Sequence, residues 1–267
     1  MPRVARLLHH PALGTDELVA FLARRAVPGV EEVRDGVYRR SLPGGDLLEL
    51  RPGTGCVDVA GDEAAARAVL RLDADPEAVE RVLGADPLLG PLVRAAPGRR
   101  VPGHPDRAEL AVRALLGQQV SVAAARTLAG RLTAALGEPL AAPRGGVTHR
   151  FPAPAALARL DPEALPMPHA RGRALVALAA ALAAGEPVDE RLPGIGPWTV
   201  AYIALRSGDD DAFLPTDVGV RHGLAALGAD PRQAAELAAR WAPYRGFAVA
   251  HLWHAAGGGP RGAPRGR

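Results

Sequence analysis

The stretch Leu192-Pro193-Gly194-Ile195-Gly196-Pro197-Trp198-Thr199, running on into Val200-Ala201-Tyr202-Ile203-Ala204-Leu205-Arg206, decides how the rest of the chain is read. Gly194 and Gly196 permit positive φ and close approach of another backbone, Ile195 can anchor the turn in a core, and Pro197 suits the first turn of a helix. The segment reads as a tight turn opening a helix over 197–206. At such a junction exposed backbone N–H groups and the helix dipole form an anion site. A duplex phosphate fits it and would be held without base preference, which makes Gly194, Ile195, Gly196 and Thr199 candidate DNA-binding residues. Taken alone, the stretch also reads as an ordinary Gly/Pro connection between helices.

Working outward, Trp198 and Tyr202 are four residues apart and share one face of that helix. Asp217, in Pro215-Thr216-Asp217-Val218, precedes a helical pattern at 218–227, and spacing alone divides it evenly between a helix N-cap and a carboxylate with a chemical role. Further helical patterns fall at 76–84, 106–117, 120–136, 154–160, 170–184 and 231–254. Residues 15–25 carry a capping threonine, Thr15, ahead of apolar positions at helical spacing, and 35–60 reads as short alternating segments broken by Gly and Pro. The stretch 137–153 is a polar separator between two helices, and Asp209-Asp210-Asp211 reads as a solvated loop. The organisation is therefore α+β: a small N-terminal β-sheet domain over 1–72, a mainly helical region over 73–255, and a disordered tail over 256–267. No repeat of about 20 to 50 residues is present.

Composition removes several classes of chemistry. Hydrophobic residues make up 48% of the 267, ample for packed cores. No apolar run is long enough to span a membrane and the start lacks a signal-peptide core, so a cytoplasmic protein is expected. The single cysteine, Cys56, excludes an internal disulfide, a cysteine-ligated zinc site and an iron–sulfur cluster. The formal charge of +3 is small, but the sequence pI of about 9.7 leans basic, which suits a phosphate-bearing partner. All 32 residues counted as Lys plus Arg are arginine. His251 and His254 have i, i+3 spacing, but no third ligand joins them, so no metal site is expected.

Together the quoted turn, the Asp217 segment, Leu115-Leu116-Gly117-Gln118-Gln119-Val120-Ser121, Trp241-Ala242-Pro243-Tyr244-Arg245 with His251-Leu252-Trp253, and Arg24-Arg25-Ala26-Val27-Pro28-Gly29-Val30-Glu31 resemble, in order, the helix-hairpin-helix DNA glycosylases of the DNA-3-methyladenine glycosylase II type. The likeness covers about residues 6 to 255. It implies a small β-sheet domain followed by a helix-hairpin-helix glycosylase body of two bundles flanking a central cleft. It also implies a monofunctional enzyme that flips alkylated purines out of double-stranded DNA and hydrolyses the N-glycosidic bond. In that reading Asp217 is the catalytic carboxylate, and Trp198, Tyr202 and Trp253 wall the base pocket with π faces and few hydrogen-bond donors, an arrangement suited to cationic alkylated bases. Trp253 as plain core is the other reading of that residue. Gln118 and Gln119 would contact DNA, with Gln119 where some relatives carry an apolar wedge; a glutamine can fill the gap and bond the orphaned base. No cofactor is implied beyond a monovalent cation that could bridge DNA and hairpin carbonyls such as those of Leu192 and Gly194, and the protein is expected to be a monomer.

Two departures from the pattern qualify the likeness. Gly185-Glu186-Pro187-Val188-Asp189-Glu190-Arg191 is short, so the hairpin's first helix is expected to be a single turn, and the wedge is polar. Of the rival enzymes, a Schiff-base glycosylase/lyase needs a lysine and an iron–sulfur branch member needs four cysteines. A non-catalytic helix-hairpin-helix protein that binds damaged or branched DNA remains the alternative, and an assay for base release separates the two.

Overall fold

The computed structural model describes residues 4–10 and 13–257. Its first unit is built on β1 (Val4–Leu8), α1 (Thr15–Arg25), β2 (Glu31–Arg34), β3 (Val37–Ser41), β4 (Leu47–Gly53), β5 (Cys56–Ala60) and α2 (Glu63–Leu70). The five strands form one antiparallel sheet in the order β1-β5-β4-β3-β2, with Tyr38 opposite Leu50 and Leu50 opposite Val59. Alternation sends Leu48, Leu50, Val57 and Val59 to one face, where α1 contributes Leu18 and Leu22 and α2 contributes Ala66, Val69 and Leu70. Thr15 is the first helical residue rather than the cap expected: Gly14 occupies the N-cap without a side-chain bond, and Asp16 and Glu17 face the helix dipole instead.

The helical body follows as α3 (Pro76–Leu83), α4 (Gly90–Ala95), α5 (Arg107–Leu116), α6 (Val122–Leu136), the hairpin β6 (Pro139–Arg144) and β7 (Val147–His149), α7 (Pro154–Leu157), α8 (His169–Ala183), α9 (Pro197–Arg206), α10 (Val218–Ala226), α11 (Ala234–Ala238) and α12 (Arg245–Ala255). The stretch expected to be a polar separator thus pairs with itself, turning at Gly145 with φ +59. The helix expected over 231–254 is broken. Pro243 has no N–H and its ring crowds the preceding turn, so α11 and α12 are separate. Among the described residues no helix is long and apolar enough to cross a membrane. From residue 258 onward the segment expected to be a disordered tail lies outside the described residues.

The body packs as two apolar clusters. One gathers α3, α4, α10, α11 and α12 around Leu89, Leu214, Val220, Trp241, Phe247 and Leu252; the other gathers α5, α6, α8 and α9 around Leu115, Leu132, Leu175, Ile195 and Ile203. Helix α1 bridges units: Leu18 and Leu22 enter the sheet core, while Phe21 packs into the first helical cluster. Tyr202 touches both helical clusters and so marks the seam between them.

Buried charge fixes the sheet unit to the body. Arg40 on β3 donates to Glu109 on α5 at 2.5 Å, and Arg113 on α5 donates to Glu31 at 2.9 Å and to Glu109 at 2.8 Å. Glu31 also receives the Tyr38 hydroxyl at 2.7 Å. Burial alone would raise the Glu109 carboxyl, but Arg40, His104 and Arg113 outweigh it and hold it well below the usual carboxylate range. His104 joins Glu31 and Glu109 within ligating distance of one another, yet the two guanidinium groups already occupy both carboxylates and repel a cation. A second clamp corrects the reading of the aspartate run: Asp210 pairs with Arg71, whose guanidinium also donates to Leu205 O at 3.0 Å, and Asp211 pairs with Arg245.

Candidate active site

Between the two helical clusters lies a cavity of about 660 Å³. Its wall includes the face of α9 that carries Trp198 and Tyr202, whose rings stack at 5.1 Å with an interplanar angle of 13°. That geometry follows from their i, i+4 spacing. Gln118, Gln119, Gly194, Gly196, Thr199 and Asp217 line the same cavity, so the structure gathers residues from three sequence segments into one place.

Asp217 is both an N-cap and a cavity residue. Its Oδ1 accepts the Val220 N–H at 2.9 Å, which starts α10, and also the Trp253 Nε1–H at 2.8 Å. Its Oδ2 accepts the Trp198 Nε1–H at 3.0 Å. Three donors therefore fix a carboxylate that is only 4% exposed. Neutral donors of this kind orient the group, and among the described residues no cationic side chain pairs with it.

Trp253 does not wall the cavity. It is buried, stacks on Phe21 at 6.3 Å and turns its indole N–H to Asp217, so the core reading holds for its ring and its polar edge serves the carboxylate. Gly219 makes room for this contact, because a Cβ there would lie 2.7 Å from Trp253.

At the hairpin, Gly194 adopts φ +76, and a Cβ would meet that of Ala174 at 2.8 Å. Gly196 is different from expectation: its φ is −107, and nothing lies within 4 Å of where its Cβ would be. What glycine provides there is open space at the N-terminus of α9. Ile195 is buried in the second cluster and anchors the turn. No helix lies between α8 and the turn: the run expected to form one helical turn closes α8 through Glu186 N–H to Ala181 O at 2.9 Å and leads into the turn through Leu192 N–H to Asp189 O at 3.2 Å and Ile195 N–H to Leu192 O at 3.1 Å. Of the carbonyls offered to a cation, Leu192 O accepts the Ile195 N–H at 3.1 Å and Gly194 O accepts from Gln118 Nε2 at 2.9 Å.

Gln118 also donates to Thr199 Oγ1 at 2.8 Å, tying the α5–α6 connection to the hairpin, and Arg171 holds the Gln118 carbonyl at 2.9 Å. These bonds frame Gln119, which is exposed with φ +56, an uncommon conformation for a glutamine. Ser121 then caps α6 through Ala124 N–H, which moves the start of that helix past the expected residue 120.

The cavity is richer in donors than its aromatic content suggests. Arg25, Arg113 and Arg206 all line it. Arg206 donates to the Tyr202 hydroxyl at 2.9 Å, and burial, which would raise that phenol, is outweighed by Arg206 and Arg25, which lower it. The sequence reading gave no site role to Arg206, though it continues the spacing of Trp198 and Tyr202, nor to Arg25, which only the tertiary fold brings to the cavity.

Residues 4–106 match the family model described as the AlkA N-terminal domain. The chain is 45% identical over 261 residues to the probable bifunctional transcriptional activator/DNA repair enzyme AlkA of Mycobacterium tuberculosis, covering 87% of this chain and 53% of that one, so it spans about half of that relative's length. It is 36% identical over 275 residues to DNA-3-methyladenine glycosylase 2 of Escherichia coli K12, covering 91% of this chain and 94% of the relative. Among solved structures, the 3-methyladenine DNA glycosylase of Archaeoglobus fulgidus shares the fold with a TM-score of 0.76 at 21% identity, over 94% of this chain and 98% of the other.

Proposed function

The chain belongs to the DNA-3-methyladenine glycosylase 2, or AlkA, family, and from that premise we propose that it is a monofunctional DNA glycosylase that excises alkylated purines of the 3-methyladenine and 7-methylguanine type from duplex DNA. The observation that carries this reading is Asp217: a carboxylate held by three donors in the wall of a cavity with ample room for a flipped base, bonded to an aromatic residue of that wall. In the proposed reaction the hairpin N–H groups hold a phosphate, Gln119 fills the gap left in the duplex, and the flipped base lies along Trp198 and Tyr202. Alkylation makes the base a good leaving group, so positive charge develops on the sugar as the bond breaks. A fixed, unpaired carboxylate stabilises that charge and orients the attacking water. The absence of lysine from the chain supports hydrolysis without a lyase step.

The test is a single-turnover assay of base release over a panel of modified duplexes. Release of 3-methyladenine or 7-methylguanine with an intact abasic strand is the expected result. Binding without release from any duplex would favour the non-catalytic alternative, and activity confined to uracil or 8-oxoguanine would overturn the substrate class.

A further inference from the structure

Trp198, Tyr202 and Arg206 lie four residues apart on α9, and at 1.5 Å per residue the row runs about 12 Å inward from the hairpin. Asp217 is fastened to its outer end through Trp198. The inner end holds the guanidinium groups of Arg206 and Arg25. Arg206 donates to Pro102 O at 2.5 Å, Gly103 O at 3.2 Å and the Tyr202 hydroxyl; Arg25 reaches Phe21 O at 3.4 Å and lies 3.7 Å over the Phe21 ring. Among the described residues neither is paired with a carboxylate, in contrast to Arg113, which Glu31 and Glu109 neutralise. Burial pushes Arg25 down to about 10, which leaves it charged at neutral pH.

A base turned in with its sugar beside Asp217 points its far edge at these two groups. We propose that Arg25 and Arg206 form a cationic floor that stabilises the negative charge gathering on a neutral purine as it leaves, and so set how the site discriminates between neutral and cationic leaving bases. The inference rests on the glycosylase reading above. In the reaction the bond from C1′ to N9 breaks with its electron pair going to the base, water gives its oxygen to C1′, and the water's proton ends on the departing purine. A cationic base departs neutral and needs no such help. A neutral base departs as an anion whose charge spreads to the edge that faces the arginines, where preorganised donors are most effective. The same floor repels a base that arrives with a positive charge.

The experiment compares single-turnover release from hypoxanthine and 7-methylguanine duplexes by the wild-type protein, Arg25→Met and Arg25→Lys. Arg25 is the better target because Arg206 also holds two backbone carbonyls. Arg25→Met is expected to slow hypoxanthine release about 10²-fold while 7-methylguanine release rises several-fold, and Arg25→Lys to restore most of the hypoxanthine rate. Equal losses on both duplexes, or an unchanged ratio, overturn the proposal, since a loosened pocket would slow both alike. If Arg25→Met does not fold, the same ratio is read on Arg25→Gln, which loses the charge and keeps donors. Wild-type protein that releases 7-methylguanine but no hypoxanthine defeats this inference alone; protein that releases neither defeats the glycosylase reading as well.

Discussion

The indole N–H of Trp253 and the backbone N–H of Val220 converge on one oxygen of Asp217, at 2.8 and 2.9 Å. One oxygen of the aspartate is thus seated by the core of the first helical cluster, while Trp198 of the cavity wall holds the other. Trp253→Phe keeps the stack on Phe21 and removes one donor. It is expected to cost about 1–3 kcal/mol of stability, the range for a buried acceptor that loses a partner, and to slow base release without weakening binding to an abasic-site duplex. Thermal unfolding and single-turnover kinetics check both; a Trp253 that walled the base pocket would instead weaken capture of the flipped base.

The two hairpin glycines separate folding from binding. Gly194→Ala forces a side chain into φ +76 and against Ala174, so it should destabilise the protein by more than about 1 kcal/mol as well as weaken DNA binding. Gly196→Ala meets nothing within 4 Å, so the melting temperature should hold while affinity for duplex falls. Melting curves paired with binding titrations at fixed salt distinguish the two, and equal melting losses would contradict the assignment.

Stability should fall on the acid side because of His251. Its ring is fully buried, both nitrogens lack a partner among the described residues, and burial, with Arg99 and His254 adding and Glu17 opposing, lowers its pKa from 6.5 to about 3. The unfolded chain takes up a proton near 6.5 that the folded chain refuses until about 3. Protonation therefore favours unfolding throughout that window: this contribution is fully present above 6.5 and is lost as pH drops toward 3. His251→Leu should flatten the acid limb of a denaturant-stability profile between those values. An unchanged slope would show that His251 does not titrate this way.

Borohydride should trap no covalent adduct between this chain and DNA, since it contains no lysine to form a Schiff base. Strand cleavage above background in the purified protein would contradict hydrolysis alone.

Local rules made much of this legible. The glycine-proline turn, the i, i+4 pair Trp198 and Tyr202, and the position of Asp217 before α10 all follow from short-range geometry. What escaped depends on long-range packing. The resemblance puts Trp253 in the pocket, but aromatic character does not say which way an edge points, and the fold turns it toward Asp217 and Phe21. The arginines of the cavity floor were invisible as a pair because Arg25 comes from the sheet unit and Arg206 from the hairpin helix, 181 positions later by their numbers (206 − 25). The aspartate run looked solvated because its partners, Arg71 and Arg245, are supplied by other elements.

The most direct test of the central claim is Asp217→Asn. The amide can keep the Val220 and Trp253 bonds through its oxygen but turns its NH₂ toward the Trp198 indole, so the fold loses one hydrogen bond and the site loses its charge. Single-turnover release from 3-methyladenine duplex should fall about 10² to 10³-fold, while affinity for an abasic-site analogue stays unchanged or increases because the hairpin contacts are untouched. A rate within about threefold of wild type would contradict the account and leave Asp217 as the cap of α10 alone.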